Sequence, residues 1–295
     1  MDRLQSMGIF VQVVELGSFA AAAKAANLSA TMIAKHVSAL EKRLGSRLLY
    51  RTTRRHGLSE VGKLYYDRCK SLLADVEAAE SSVSLLQGAP RGTLRITAPV
   101  SFGTRRLAPA LAEFLRLYPD VTVDLSLSDR VVDLVEEGIE AAVRIGHLPD
   151  SRLVARPLPS YRSLLCAAPA YLRRCGMPKS PADLASHACL GFSYSQSRGR
   201  WRLIHGREER VVHYTPRLVA NNGEALRQAA LAGAGVVMQP EVLLAEDVKA
   251  GKLVRLLPTW ALPERPMHLV HAKDRQMTPK LQRFIEFVLQ RFPRD

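Results

Sequence analysis

The sequence predicts a composite fold: a helical N-terminal unit, a long connecting helix and a larger α/β domain. Three observations predict it. Apolar residues recur at helical spacing from Leu4 to Leu44. A second helical pattern runs without a break from Ser59 to about Gln87. Beyond Gly92, short β-type runs alternate with amphipathic helical ones.

The first helix is read from Leu4, Met7, Phe10, Val11 and Val14, and Gly17 ends it. Ser18 caps an alanine-dense second helix, Phe19 to Ala26, whose small side chains let a neighbour approach closely. Asn27-Leu28-Ser29 makes a tight turn, and Ser29 caps a third helix reaching Leu44 before Gly45. On that helix Ile33, Val37, Leu40 and Leu44 form one expected buried stripe, and Thr31, Ala34, Lys35 and Ser38 form the opposite face. Residues 18–44 thus read as helix, turn, helix. Residues 47–58 read as a short hairpin carrying Arg51, Arg54 and Arg55.

Charge points to the class of partner. The 295 residues carry a formal net charge of +14, and the isoelectric point is about 10.0. A polyanion suits that balance, nucleic acid before a membrane surface. The first sixty residues hold nine Lys/Arg against four Asp/Glu, and from Lys42 to Arg55 six basic residues meet no acidic one. A helix entering the major groove, with basic groups on the flanking phosphates, would use this arrangement. A helical subdomain with a solvated basic face is the other reading of the same pattern.

From Ser59 to Gln87, Val61, Tyr65, Leu72, Val76, Ala79, Val83 and Leu86 keep mostly three- and four-residue steps. That pattern is close to a coiled-coil seam and predicts a homodimer; a helix packed on its own domain is the alternative. Gly88-Ala-Pro-Arg-Gly92 reads as a linker. After it, strands are expected at Leu94–Pro99, Val121–Leu127, Ala141–Ile145, Ser163–Ala167, Val211–Tyr214, Val236–Gln239 and Met267–Ala272. Helices are expected at Leu107–Tyr118, Val131–Glu137, Glu224–Leu231, Glu241–Ala250 and Pro279–Phe292. Such alternation predicts parallel sheets.

Other chemistry is sparse. Cys69, Cys166, Cys175 and Cys189 lack metal or disulfide spacing and read as buried thiols in a reducing compartment. His268 and His271, three apart in a strand, point to opposite faces and make no metal edge. Gly233-Ala-Gly235 lacks the rest of a dinucleotide fingerprint and reads as a helix cap. No catalytic constellation, metal site or cofactor is expected. No stretch is apolar enough to span a bilayer or to serve as a secretory leader, so a cytoplasmic protein without a membrane partner is expected.

One resemblance joins these readings. The residues are Phe10-x-x-Val13-x-Glu15-x-Gly17-Ser18-Phe19-x-x-Ala22-Ala23, Leu28-Ser29, Val37-x-x-Leu40-Glu41-x-x-Leu44-Gly45, Leu48-Leu49-x-Arg51-Thr52-Thr53-Arg54 and Leu58-Ser59-Glu60-x-Gly62. Arg91-Gly-Thr-Leu-Arg95, Ala98-Pro-Val-Ser101, Leu125-Ser-Leu-Ser-Asp129, Arg144-Ile-Gly146 and Asn221-Asn-Gly223 extend them. Over essentially its whole length the chain resembles the LysR-type transcriptional regulators.

The resemblance implies a winged helix-turn-helix over residues 1–59, a dimerising linker helix and hinge over 60–90, and an effector-binding domain over 91–295. That last domain is of the two-lobed, periplasmic-binding-protein type. Lobe I would take about 91–161 and 266–295, and lobe II about 162–265. DNA contacts would come from Ser29, Ala30, Thr31, Met32, Ala34, Lys35, His36 and Ser38 on the recognition helix. Arg51, Thr52, Thr53, Arg54 and Arg55 of the wing would add to them. Ala30 and Ala34 stand where the family commonly has Pro and Ser, and Ala34 suits a thymine methyl.

Effector contacts would come from Ser101, Phe102, Ser128, Arg144, Ile145, Gly146, Asn222, Val236 and Met238, at strand ends that suit a carboxylate. The implied partners are a double-stranded DNA operator, a small anionic effector, further copies of the chain in a homodimer or homotetramer, and RNA polymerase for an activator. The competing classes are a small-molecule-binding protein with a dimerisation module, and an α/β enzyme, which lacks any nucleophile–base or metal set here.

Overall fold

Side-chain capping starts the first three helices, and left-handed residues end them. In the computed structural model, which describes residues 2–51, 56–83, 89–148, 153–195, 199–273 and 277–294, α1 spans Arg3–Leu16, α2 Phe19–Ala26 and α3 Ala30–Leu44. Asp2, Ser18 and Ser29 accept backbone N–H groups at the three N-termini. Gly17, Asn27 and Gly45 turn the chain left-handed at the three C-termini. A short antiparallel pair follows, β1 (Leu49–Arg51) with β2 (His56–Leu58), and then α4 (Glu60–Val83).

Phe10, Ala22, Ile33, Val37, Leu40, Leu48 and Cys69 bury together as the core of this part. Leu44 does not complete the expected stripe. It is 40% exposed in the last turn of α3, where Gly45 bends the chain away. On α4, Tyr65, Tyr66 and Leu73 pack on the same core, whereas Val61, Leu64 and Leu72 are 46%, 66% and 48% exposed. These three fall on one side of the helix. The expected end of this helix near Gln87 falls outside the described residues.

The chain forms two compact units, one of Met1–Gly92 with Val132–Glu140 and Gln276–Pro279, the other of Thr93–Val131, Ala141–Arg275 and Lys280–Asp295. The second unit holds two five-stranded sheets. β3 (Gly92–Ala98) leads into one helical segment made of α5 (Val100–Phe102), a π turn (Gly103–Leu107) and α6 (Ala108–Leu117). β4 (Val121–Leu127), β5 (Ala141–Ile145) and β6 (Leu153–Tyr161) follow. The chain then passes through Arg162 into β7 (Ser163–Ala167), α7 (Pro169–Cys175) and β8 (Cys189–Phe192). Next come the antiparallel hairpin β9 (Arg200–His205) and β10 (Glu208–His213), then β11 (Pro216–Ala220), α8 (Gly223–Leu231) and β12 (Val236–Pro240). α9 (Glu241–Lys249), β13 (Val254–Arg255), β14 (Arg265–Ala272) and α10 (Pro279–Arg291) complete it.

The first sheet has the order β4-β3-β5-β14-β6 and the second β11-β8-β12-β7-β13. Each sheet belongs to one lobe, and the chain crosses between lobes twice. The crossing strands β6 and β14 are antiparallel neighbours, and the Arg162 guanidinium donates to Glu264 at 2.8 Å beside them. Phe114 of α6 packs against Phe284 and Phe287 of α10 at 5.7 and 5.4 Å, each such burial stabilising by roughly 1.5–3 kcal/mol.

Three expectations need correction. The sheets are mixed, because β14 runs antiparallel to β5 and β6, and β7 antiparallel to β12. No helix forms over 131–137. There the Asp133 carboxylate accepts the N–H groups of Val135 and Glu136, and Gly138 at φ 66° closes a single turn. Of the expected strand Val211–Tyr214 only the residues up to His213 are in a strand, as the end of β10, whose partner β9 shows the alternation Trp201 and Leu203 inward, Arg200 and Arg202 outward.

Candidate functional site

The first candidate surface is built on α3. Ile33, Val37 and Leu40 anchor one side in the core, which leaves Ala30, Thr31, Lys35 and Ser38 exposed on the other, with Met32 and Ala34 half-buried. The Ser29 hydroxyl is occupied by the Met32 N–H at 3.2 Å. His36 is a correction to the expected groove-facing set. It is 3% exposed, and its Nδ1 lies 2.9 Å from Ser6 Oγ on α1. Ser6 gives its proton to the Asp2 carbonyl at 2.7 Å, so the imidazole nitrogen donates. His36 therefore fixes the seating of α3 on α1.

The Glu41 carboxylate accepts the N–H groups of Leu48 and Leu49 at 2.9 and 3.3 Å and so ties α3 to β1. Ser59 donates to the Arg47 carbonyl at 2.6 Å and accepts from Gly62 N–H at 2.8 Å, which joins the pair of strands to α4. Arg51 pairs through its backbone with His56. Its side chain, and Thr52, Thr53, Arg54 and Arg55, lie outside the described residues.

The second candidate surface lies where the C-terminal strand ends of the two sheets meet. At Gly223 an added Cβ would come 2.6 Å from Gln239 Oε1 and 3.3 Å from Ser101 Oγ, so three segments converge on one point. Ser101 is hydrogen-bonded to the Tyr161 hydroxyl, whose pKa is raised mainly by burial. Asp129 accepts the Val100 N–H at 3.3 Å, and Arg265 lies close enough to stabilise its charge. Burial outweighs both effects and lifts the Asp129 pKa above the usual aspartate range. Arg265 donates to the Ile145 carbonyl at 3.3 Å, and its guanidinium would lie 3.2 Å from any Cβ at Gly146, where φ is 104°.

Of the expected effector residues, Ser101, Ile145 and Gly146 lie in this cluster. Asn222 caps α8 through Ala225 N–H at 3.1 Å, Ser128 accepts the Arg130 N–H at 3.1 Å, and Arg144 reaches the Arg130 carbonyl at 3.4 Å. Phe102 and Val236 are corrections, and Met238 is half-buried. Phe102 is 4% exposed and edge-stacked on Phe292. Val236 is fully buried at the start of β12, the far end from the cluster, and Met238 packs on the same core. Asp129, Tyr161, Gly223, Gln239 and Arg265 were not singled out by the sequence. Asp129 and Gly223 close two of the quoted stretches, and Gln239 ends a predicted strand, so position gave a signal for those three. Tyr161 and Arg265 lie at the two expected lobe boundaries, but only the pairing of β6 with β14 brings them to the cleft.

Among the described residues no group of three His, Cys, Asp or Glu side chains is placed to hold a metal ion. No helix among them is long and apolar enough to cross a membrane.

Comparison with known proteins places these surfaces in a family. The bacterial regulatory helix-turn-helix family of LysR type matches residues 4–63, and the LysR substrate-binding domain matches 87–293. An HTH-type transcriptional regulator of Xanthomonas campestris is 40% identical across 97% of this chain and 85% of its own. The solved structure of CrgA, a LysR-type regulator from Neisseria meningitidis, is 33% identical with a TM-score of 0.64 over 97% of both chains. The full-length Vibrio cholerae virulence activator AphB is 29% identical with a TM-score of 0.65, over 98% of this chain and 99% of its own. With its helix-turn-helix and its mixed-sheet substrate-binding domain both matched, the chain belongs to the LysR family of DNA-binding transcriptional regulators.

Proposed function

We propose that α3 enters the major groove of a duplex operator, with Thr31, Lys35 and Ser38 at its exposed face, and that a small carboxylate bound in the lobe cleft modulates that binding. The observation that carries the first part is a helix anchored on one side by Ile33, Val37 and Leu40 and bare on the other. Division of labour follows residues 1–59, 60–90 and 91–295, in the cytoplasm, and the protein acts by binding rather than turnover. The wing residues Thr52 to Arg55 hold phosphates in this reading.

Lys35→Ala is expected to weaken binding to an operator fragment by about tenfold, the equivalent of one good base or phosphate contact. Fluorescence anisotropy at fixed salt measures it. Unchanged affinity would remove α3 from the interface.

The exposed Val61, Leu64 and Leu72 side of α4 supports a homodimer, which sets two reading helices on a two-fold-related site. Leu64→Glu should convert dimer to monomer at micromolar concentration in sedimentation velocity. A dimer that persists unchanged sends the subunit contact elsewhere.

In the cleft, Arg265 supplies positive charge beside Ser101, Tyr161 and Gln239, and the 91–295 segment carries thirty Lys/Arg against twenty Asp/Glu. Asp129 opposes an anion when ionised. Its raised pKa means that it takes up a proton at higher pH than an ordinary aspartate, and the repulsion then vanishes. Carboxylate affinity should therefore rise as pH falls through that pKa, and Asp129→Asn should flatten the profile. Thermal shift with a panel of small carboxylic acids tests this. A flat response across the panel would leave the cleft without this role.

A further inference from the structure

The second lobe has a cavity far from the cleft. It has a volume of about 330 Å³ and is lined by Tyr171, Arg174, Ser186, His187 and Arg217, among others. His187 and Ala188 directly precede β8, Ala234 precedes β12, and Arg217 sits near the start of β11. The cavity thus lies at the N-terminal end of the parallel strands. Gly223 and Gln239 lie at the opposite end, where those strands finish.

Arg174 and His187 are held in place. Arg174 donates to the Gly233 carbonyl at 3.0 Å and lies 5.7 Å over the Tyr171 ring, which leaves further guanidinium N–H groups to give. The Tyr171 hydroxyl accepts the Ala188 N–H at 2.9 Å and lies 3.0 Å from His187 Nδ1. With Nδ1 engaged, Nε2 is the ring nitrogen left for a ligand, and an anion selects the form that donates from it. Arg217 is exposed on β11 and has no ion pair or hydrogen bond among the described residues. The Asp183 carboxylate accepts the N–H groups of Lys179 and Ser180 at 2.8 and 2.9 Å, which hold its pKa below the usual aspartate range, so its single negative charge stays within reach of His187 and is outnumbered by the two guanidiniums.

We propose that this cavity is a second anion site that takes a phosphate-class oxyanion, free or as a small monoester, independently of the lobe cleft. Two guanidiniums and an imidazole match the acceptor oxygens and charge of that group, whereas the Ser186 hydroxyl gives its proton to the Asp183 carbonyl at 2.7 Å and adds no donor. The volume leaves room for the ester carbon or for water.

Isothermal titration of the full chain with inorganic phosphate, and separately with glycerol phosphate, at constant ionic strength tests it. Saturable binding is expected in the unaltered protein and in Ser101→Ala. In Arg217→Gln the affinity should drop by about tenfold or more, since a lost charge-assisted contact is at least that large. Tm in chloride, unchanged by Arg217→Gln, shows that the variant is folded. The stronger of the two titrants identifies free phosphate or ester. No saturable binding of either, equal affinity in Arg217→Gln, or a loss in Ser101→Ala instead would each overturn the proposal.

Discussion

Arg227→Met is expected to lower the stability of the chain by about 3–5 kcal/mol, the scale of breaking a buried ion pair from one side. Arg227 grips Asp247 with two bonds, Nε to Oδ2 at 2.5 Å and Nη2 to Oδ1 at 2.7 Å, and gives Nη1 to Glu224 at 2.6 Å. Asp247 is only 3% exposed, so the methionine would strand a carboxylate that water cannot reach. The pair itself need not be worth that much. Arg227→Met with Asp247→Leu should recover most of the loss, because both desolvated charges are then gone. Urea unfolding of the two variants separates the penalty of the orphan from the value of the bond. Glu224 also receives Arg105 from the first lobe at 3.4 Å, so the single variant should loosen the lobes as well as the α8–α9 contact. A single variant within 1 kcal/mol of the parent would mean that the Asp247 site rehydrates or takes up a proton readily.

Gly62→Ala is the second large effect, at about 3 kcal/mol. A Cβ there would lie 1.9 Å from the Leu48 carbonyl oxygen, 2.8 Å from its carbon and 3.1 Å from its Cα. All three atoms are backbone, so no side chain can rotate out of the way, and α4 must lift off β1. DNA affinity should fall with it, because Ser59, Gly62 and Leu48 together hold the strand pair against the helices. Gly8→Ala is the matched control: it lies inside α1 with nothing within 4 Å of the added Cβ, and helix propensity alone predicts a gain of up to about 1 kcal/mol. Equal unfolding midpoints for the two variants would overturn the steric account.

The N-terminal helices were legible because their signals are local. Ser18 and Ser29 cap, Gly17 and Gly45 stop, and the apolar steps between them are regular. His36 was misread for the opposite reason. Its partner Ser6 is thirty residues away, and nothing near a histidine in sequence says whether it faces solvent or a hydroxyl on another helix. The α/β domain divided in the same manner. β4, β5 and β7 have the predicted bounds, but strand direction depends on which strands become neighbours. That is why β7 and β14 came out antiparallel. At 131–137 the apolar spacing was helical, yet Asp133 captured the backbone donors that a helix would have used. The cleft was half visible: strand ends could be listed, but Tyr161 and Arg265 belong to it only through the pairing of β6 with β14.

That same pairing has a mechanical consequence. Two crossings that are hydrogen-bonded side by side, with Arg162 and Glu264 clasped at the edge, behave as a flat ribbon rather than as two loose threads. A ribbon resists shear and twist in its own plane and bends easily across it. In the proposed function, work done by a molecule settling between the lobes would therefore be channelled into one rotation, and a chemically small occupant would produce a directed displacement.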